Sequence, residues 1–358
     1  MELNTIDFES VINDIESEKC ILLLGPEVVL SEKGNNLQKD LVAYFTSQPQ
    51  LNIEFDNDGL AVFKEKTGQT KRSFHTHFRK FYDQNVHVSD FYKKIVQIPF
   101  HLFVTISPDM FLNKAFDSFG FPYDFKYYRK SEPCEVISNI PTKYNPLIYN
   151  LFGIYTDEDS LVATQDDIIE FLFSILGDFK TPQTLRSGIK KAKTFFFLGF
   201  DFEKWYLKII LKLMELETET ANYASAKPTE FDFKTKAFFI NNFKMAFVNS
   251  NAFDFIDNLY NEMQKRDKIK KFDNENEHPL KAKIKNHLKN DDLQNAIDEL
   301  SDYFEGKNED ISGQLIQTSG RYNGLKRKIN NKTISAETAE VEMNQIRQHI
   351  ISLIDEIQ

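Results

Sequence analysis

The stretch Cys20-Ile21-Leu22-Leu23-Leu24-Gly25-Pro26-Glu27 decides the fold of this chain. Its first five residues are all apolar, which is typical of a strand buried on both faces of a parallel sheet. Upstream, the apolar residues between Phe8 and Ile15 are spaced like one face of a helix. A helix followed by an apolar strand that ends at a glycine predicts the first unit of an α/β sheet.

The alternation of strand and helix continues as far as residue 263. The further pairs are 101–107 with 110–119, 147–151 and 161–164 with 166–176, 194–198 with 205–213, and 245–249 with 253–263. This order predicts an α/β fold, a Rossmann-like doubly wound parallel sheet over residues 1–263. Ligands of such sheets lie beyond the carboxyl ends of the strands. Gly25-Pro26-Glu27, Ser107-Pro108-Asp109 and Asn150-Leu151-Phe152-Gly153 all fall at such ends.

The pattern changes after residue 263. Residues 264–277 carry mixed charge and few apolar side chains, which predicts a linker. Residues 278–358 show helical periodicity only and predict a C-terminal all-α bundle of four or five helices. Ser335 is a candidate N-cap of the last helix. We therefore expect a nucleotide-binding domain, a linker and a helical domain.

Composition argues against several classes of protein. The formal net charge of −10 over 358 residues does not favour a nucleic-acid partner. The two cysteines, Cys20 and Cys134, are too few for a four-thiolate zinc site or a disulfide framework, so we expect no zinc. No apolar run reaches the roughly 20 residues that span a bilayer, and the N-terminus lacks a signal-peptide pattern. We expect no membrane partner and a soluble, cytoplasmic protein.

Five segments of the N-terminal region form an ordered set: 22–27, 104–109, 149–153, 160–167 and 197–201. Together they resemble the sirtuin-like, NAD-processing domains of prokaryotic antiphage defence proteins, over about residues 1–263. The resemblance implies a Rossmann-like fold, a bacterial source, and NAD or an ADP-ribose derivative as ligand.

The C-terminal residues 278–358 resemble the effector-associated domains found at the ends of such proteins, most clearly in segments 319–328 and 347–355. The resemblance implies recruitment of a protein partner that carries a similar domain. Self-assembly into a homo-oligomer is left open by the sequence.

The resemblance assigns cofactor-binding roles to Gly25 and Glu27. Glycine allows a pyrophosphate to approach backbone N–H groups at a helix N-terminus. However, Pro26 offers no N–H, and Glu27 places negative charge where phosphate charge would lie. A tight turn after the strand explains Gly25 equally well.

The resemblance also assigns cofactor-binding roles to Asn150, Gly153 and Gly199. Asn150 has donors and an acceptor for a ribose hydroxyl, and glycine at 199 permits close approach of an adenine ribose. A structural role for Asn150 in its loop, beside Gly153, and turn formation at Gly199 are the competing interpretations.

Sirtuin-like domains carry a catalytic asparagine in the region of Ser107 and a catalytic histidine at the position of Phe152. Hydrolysis of the nicotinamide glycosidic bond requires a group that orients water and one that accepts a proton. A serine hydroxyl can orient water, but phenylalanine cannot accept a proton. Losing a general base costs about 10² to 10⁴ in rate.

Carboxylates at strand ends are candidate substitutes for the missing base. Asp109 is the main catalytic candidate beside Ser107, and Glu27, Asp166 and Asp167 are further ones. Asp109, Asp166 and Asp167 each stand at the start of a predicted helix, where capping is the competing interpretation.

None of the seven histidines takes the position of the missing base. His75 and His77 form an alternating pair among basic residues, which suits a metal or phosphate contact or, alternatively, a solvated surface. The single tryptophan, Trp205, is expected to pack in the core.

Three hypotheses follow. The first is a nucleotide-binding module of an antiphage defence system that is catalytically degenerate and is recruited through its helical domain. The second is an active NAD hydrolase that depletes NAD on infection and uses a carboxylate in place of histidine. The third is a scaffold whose cleft binds nothing.

Overall fold

The structure is a computed structural model that describes residues 2–3, 6–65, 67–130, 137, 140–176, 182–214, 220–225, 232–271, 279–289, 292–305, 307, 309–331, 333–354 and 356. The chain divides into two compact units, Met1–Lys271 and Phe272–Gln358. Cys134 and the part of the expected linker from 272 to 277 lie outside the described residues. The domain boundaries expected at residues 263 and 278 stay predictions.

A large parallel sheet organises the first unit. The strands are β1 (Glu2–Leu3), β2 (Cys20–Leu24), β3 (Ile53–Phe55), β4 (Ala61–Phe63), β5 (Leu102–Thr105), β6 (Asp124–Tyr127), β7 (Leu147–Asn150), β8 (Thr194–Leu198), β9 (Ala221–Ser225) and β10 (Met245–Val248). Eight of these described strands form one sheet in the order β1-β10-β9-β8-β2-β5-β7-β6, and every neighbouring pair is parallel. Strands β3 and β4 form a separate antiparallel hairpin.

The strand order reverses at β2. From β2 the chain adds β5 and β7 on one side, then returns to add β8, β9 and β10 on the other. This reversal is the switch point of a doubly wound sheet, where ligands of such folds bind. The predicted Rossmann-like parallel sheet with a C-terminal helical region is confirmed.

Helices cover both faces of this sheet. They are α1 (Phe8–Glu16), α2 (Leu37–Thr46), α3 (Gly68–Gln84), α4 (Asp90–Gln97), α5 (Phe111–Phe119), α6 (Gln165–Leu176), α7 (Gln183–Lys191), α8 (Trp205–Leu213), α9 (Phe233–Phe243) and α10 (Ala252–Lys265). Alternate residues of β2 enter two cores: Leu22 and Leu24 face α1 to α5 and α10, whereas Ile21 and Leu23 face α6 to α9. The continuous apolar run is therefore required because both faces of the strand are buried.

One expected strand segment is absent from the sheet. Residues 161–164 were expected to extend the β7 unit, but of them only Thr164 forms a single isolated bridge, to Ala61 of β4. The backbone of Val162 instead donates a hydrogen bond to Phe152 O at 3.0 Å. These bonds hold the segment against the hairpin and against the loop that follows β7.

The second unit is helical. Its described helices are α11 (Pro279–Lys289), α12 (Leu293–Phe304), α13 (Glu309–Asn330) and α14 (Ala336–Ile354). They share one buried apolar core that includes Leu300, Leu315 and Ile350. The hydroxyl of Ser335 accepts a hydrogen bond from Thr338 N at 3.1 Å, as an N-cap does.

Among the described residues, no helix is both long enough and apolar enough to cross a lipid bilayer.

Candidate functional site

A cleft lies at the carboxyl edge of the sheet, and all three strand-end loops reach it. Pro26 follows β2, Ser107 follows β5 and Phe152 follows β7, and each lines the cleft. Helix α3 and the hairpin contribute further wall residues, among them Tyr82 and Gly59. The cavity volume is about 60 Å³. That exceeds the space for one water molecule but is far below the roughly 300–1,000 Å³ of typical small-molecule pockets.

The loops after β2 and β8 close against each other at the switch point. Gly25 N donates to Leu198 O at 2.9 Å, and Glu27 N donates to Gly199 O at 3.0 Å. A Cβ atom on Gly25 would lie 2.2 Å from Gly199 O. Gly199 has φ +72°, and a Cβ there would lie 2.6 Å from Val28 Cγ1. Both glycines therefore serve the contact between the two loops, and at this contact the amides of Gly25 and Glu27 bond to protein oxygens.

The carboxylate of Glu27 is engaged beside this contact. Asn36 Nδ2 donates to Glu27 Oε2 at 3.3 Å and to Pro26 O at 3.3 Å. The same asparagine caps α2, since its Oδ1 accepts from Lys39 N at 3.0 Å. Glu27 thus helps to hold the loop, and its negative charge disfavours a phosphate there.

Asn150 joins the loops that follow β5 and β7. Its side chain is fully buried, and its Nδ2 donates to Ser107 O at 2.6 Å. Its Oδ1 accepts from Phe152 N at 3.2 Å. The carboxamide is therefore committed to backbone groups and serves the loop rather than the surface of the cleft.

Asp109 lies behind the cleft. Its Oδ1 accepts from Phe111 N at 2.8 Å, at the first residue of α5. Burial raises the pKa of this carboxyl above its ordinary value, although hydrogen bonds from the Ser107 side chain and from backbone N–H groups oppose the rise. Asp109 thus stabilises the start of α5, and its neighbour Ser107 is itself buried.

Phe152 fills the position at which the resemblance places a histidine. Its ring centroid lies 5.3 Å from that of Phe171 and 5.8 Å from that of Tyr206, both in edge contacts. Gly153 follows with φ +69°, and a Cβ there would lie 2.1 Å from Ser160 O. The residues after β7 are thus a packed apolar loop with no proton acceptor at position 152.

Asp167 caps α6 and also pairs with a lysine. Its Oδ2 accepts from Thr164 N at 3.0 Å, and Asp167 Oδ1 lies 2.5 Å from Lys130 Nζ. Burial works against ionisation of Asp167, but the Lys130 ammonium and the hydrogen bonds outweigh it and hold its pKa below the ordinary value. Asp167 N in turn donates to Thr164 Oγ1 at 3.2 Å, so Asp167 takes part in the N-terminal cap of α6 as well as in the ion pair with Lys130. Asp166 occupies the first turn of α6 and is exposed.

A turn that no sequence motif indicates lines part of the cleft. The turn, residues 56–60, connects β3 to β4, and its Asp58 and Gly59 line the cleft. Gln165 Nε2 donates to Asp56 Oδ2 at 2.7 Å, and Lys204 Nζ donates to Asn57 O at 2.5 Å. The starts of α6 and α8 thereby hold the 56–60 turn in place.

The prediction that Trp205 packs in the core is wrong. It was expected in the core, yet it is 37% exposed, and its side chain hydrogen-bonds Asp58 of the 56–60 turn. The helical spacing of its neighbours Leu207, Ile210 and Leu211 is correct for burial, but Trp205 is the first residue of α8 and lies on the opposite face. The expectation of burial came from the apolar helix that it shares with these residues, but its indole N–H favours a polar partner.

Two family models match the chain. Residues 101–243 match the SIR2-like domain, and residues 279–358 match effector-associated domain 11. The chain carries a SIR2-like domain and an effector-associated domain. The combination indicates an effector module of a defence system, with protein interaction as the role of the second domain. A comparison with curated proteins gave no match.

The matched part of the SIR2-like domain contains Ser107, Asp109, Asn150, Phe152 and Gly199. Gly25 and Glu27 precede it. Domains of this family bind NAD-related ligands. In this SIR2-like domain, the switch-point loops contact each other and the cavity is small, so a whole dinucleotide does not fit the cleft in this conformation.

The wall of the cleft holds no histidine, since none of the described histidines is among the residues that line it. His75 is buried on α3, where burial lowers its pKa, and His77 Nδ1 lies 2.9 Å from Ser73 O within the same helix. In the described part of the chain, no group of three or more His, Cys, Asp or Glu side chains could hold a metal ion.

Proposed function

We propose that this protein is a cytoplasmic component of a bacterial antiphage defence system whose SIR2-like domain binds an NAD-derived nucleotide without hydrolysing it. One observation supports the proposal: Phe152, at the position where the family resemblance places the proton acceptor, is packed between Phe171 and Tyr206. The effector-associated domain recruits a partner that carries a similar domain.

The other polar candidates do not replace this acceptor. The Asn150 carboxamide is bonded to two backbone groups, and Asp109 is buried at the start of α5. Burial raises the pKa of the Asp109 carboxyl, and a carboxylate with a raised pKa is a stronger general base when it is ionised. Asp109 is therefore the group on which the hydrolase hypothesis depends. The two hypotheses therefore differ in what Asp109 does.

Nucleotide binding requires the 56–60 turn to move. The turn contributes wall residues to a cleft that is too small for a dinucleotide, and its ties to Gln165 and Lys204 are polar contacts near the surface. Contacts of this kind contribute about 1 kcal/mol each, so a ligand can displace them at moderate cost. NAD or an ADP-ribose derivative is the ligand class that the domain family suggests.

Two measurements on the full chain test the proposal. We expect no release of nicotinamide from NAD, and we expect NAD or ADP-ribose to raise the melting temperature in a concentration-dependent way. Ala163→Leu, which adds bulk to a wall residue of the cleft, should abolish this rise. Ile140→Asp, at an exposed residue that does not line the cleft, is the matched control and should keep it.

Other outcomes decide against the proposal. Nicotinamide release that Asp109→Asn abolishes would establish the hydrolase instead. Absence of stabilisation by any nucleotide, in the wild type and in a Lys204→Met variant that frees the 56–60 turn, would leave the scaffold hypothesis. A rise in melting temperature that survives Ala163→Leu would place the nucleotide outside the cleft.

A further inference from the structure

Helices α6 and α8 present four large apolar side chains to solvent. Ile169 and Phe173 lie one turn apart on α6, and Trp205 and Ile209 lie one turn apart on α8. Phe173 is 71% exposed. We call these four residues the apolar stripe. Large exposed apolar side chains that are grouped on adjoining elements mark interaction surfaces.

The two helices lie side by side and run in the same direction. They pack against each other and contribute buried residues to the same core. Gln165 at the start of α6 and Lys204 just before α8 both contact the 56–60 turn, so both helices begin at the carboxyl edge of the sheet. The exposed faces of the two helices therefore adjoin.

The lysines of α8 show which way this helix is rotated. Lys208 Nζ lies 5.3 Å from the ring centroid of Phe238, and Lys212 Nζ lies 5.9 Å from that of Phe243. Both rings belong to α9, so the lysine side of α8 faces α9. With 3.6 residues per turn, Trp205 and Ile209 occupy the other side of the exposed face, which is turned toward α6.

Helix α6 has the complementary arrangement. Asp166 and Glu170 are exposed one turn apart, and on a helical projection they lie beside Ile169 and Phe173. For two adjacent helices that run in the same direction, the Ile169 and Phe173 side of α6 is the one turned toward α8. The apolar stripe is therefore continuous, with an acidic rim on α6 and a basic rim on α8.

We propose that the apolar stripe is the interface of a homodimer, with a second copy of this chain as its occupant. A two-fold axis parallel to the helices, lying in the contact plane, places the acidic rim of α6 opposite the basic rim of α8 in the other copy. The same rotation lays apolar side chain on apolar side chain. The surface is thus complementary to itself, which is what an isologous dimer requires.

The single tryptophan gives a signal that is specific for this interface. Trp205 is 37% exposed and belongs to the apolar stripe, so dimer formation should shift its fluorescence to shorter wavelength as concentration rises. Sedimentation of the full chain over the same dilution series should show a monomer–dimer equilibrium. A chain that stays monomeric throughout, or a dimer without the fluorescence shift, overturns the proposal.

Substitutions in the apolar stripe test the same interface. Phe173→Asp should raise the dimer dissociation constant roughly thirtyfold, as loss of an aromatic hot spot does. Ile140→Asp, an exposed apolar residue before β7, is the matched control and should leave the constant unchanged. A dimer that persists in Phe173→Asp places the interface elsewhere.

Reversing the charges of the two rims tests how the two copies are oriented in the dimer. This test does not depend on whether the Phe173→Asp variant folds. Glu170→Lys alone and Lys212→Glu alone should each weaken the dimer, because each brings like charges together across the interface. The double variant should restore it. Failure of the double variant to recover, or no effect of either single change, refutes the proposed two-fold arrangement.

Discussion

Gly25→Ala separates the two explanations of the glycine after β2. If Gly25 serves only a ligand, alanine should weaken nucleotide binding and leave the unfolding free energy nearly unchanged. In the structure, however, the new Cβ would lie 2.2 Å from Gly199 O and 2.7 Å from the Gly199 carbonyl carbon. Both atoms belong to backbone, so a side-chain rotation cannot relieve the overlap.

The size of the expected stability loss follows from the backbone that must move to make room for the new Cβ. Forcing an extra carbon into a packed region costs about 1–3 kcal/mol. The Gly25–Leu198 and Glu27–Gly199 backbone hydrogen bonds lie at the same contact, and weakening each costs about 1 kcal/mol more. We expect Gly25→Ala to lower the unfolding free energy by about 3–5 kcal/mol, a loss independent of any ligand.

Denaturant unfolding of the full chain without ligand measures this loss, and Gly34→Ala is the matched control. Gly34 has φ +79° but no heavy atom within 4 Å of a built Cβ, so alanine there costs only the backbone strain, about 1–2 kcal/mol. Gly25 has φ −96°, so its cost is steric only. If Gly25→Ala proves no more destabilising than Gly34→Ala, the proposed contact between the two loops is wrong.

Four further predictions concern other parts of the chain. Asn150→Leu removes two buried hydrogen bonds to backbone groups and should cost about 2–4 kcal/mol in urea unfolding, whereas exposed Asn242→Leu should cost much less. Burial raises the pKa of Asp109 above 3.8, so the ionised carboxylate destabilises the folded state at neutral pH. Asp109→Asn should therefore be more stable than wild type at pH 7, and this difference in stability should shrink as the pH falls toward 3.8. Burial lowers the pKa of His101 from 6.5 to about 4, so the unfolded chain binds the proton more readily than the folded chain. The unfolding free energy should be highest above pH 6.5 and fall by roughly 3 kcal/mol on acidification to pH 4. In His101→Gln it should depend less on pH. A chain ending at residue 271 should keep cooperative thermal unfolding and lose partner recruitment; a molten or insoluble product would mean that the two units fold as one.

The central strands were predictable because burial on both faces leaves a plain pattern. Strand β2 (Cys20–Leu24) is a continuous apolar run and β8 (Thr194–Leu198) is apolar after its first residue, and both lie at the centre of the sheet. Strand β6 escaped prediction because it is an edge strand whose four residues, Asp124–Tyr127, are only half-buried. Strand β9 begins Ala221-Asn222 and lacks an apolar run altogether.

The site was predictable in position but less so in detail. Counting strand ends locates Pro26, Ser107 and Phe152 near one another, because parallel strands end at the same edge. The contact of Gly25 with Gly199 joins distant parts of the chain, so local sequence carries no sign of it. The alternative given for Asp109, an N-cap of a helix beginning at Met110, is one residue off: Met110 is the N-cap of α5, and Asp109 accepts from Phe111 N just before it.

The role of the 56–60 turn in the cleft could not be predicted from the sequence, for a different reason. An antiparallel hairpin inserted between α2 and α3 contributes wall residues of the cleft, yet its sequence reads as an ordinary polar turn. Its position depends on contacts with Gln165, Lys204 and Trp205, which lie far from it in the sequence. Local sequence patterns do not indicate polar contacts between residues that are so far apart in the chain.

The aromatic packing around Phe152 has a consequence for protein engineering. A histidine placed at position 152 would have to lie among Phe171 and Tyr206, where an imidazole lacks the hydration and hydrogen bonds it requires. Phe152→His alone would therefore destabilise the fold. The surrounding aromatic side chains would have to be replaced by polar partners before this position could hold a working proton acceptor.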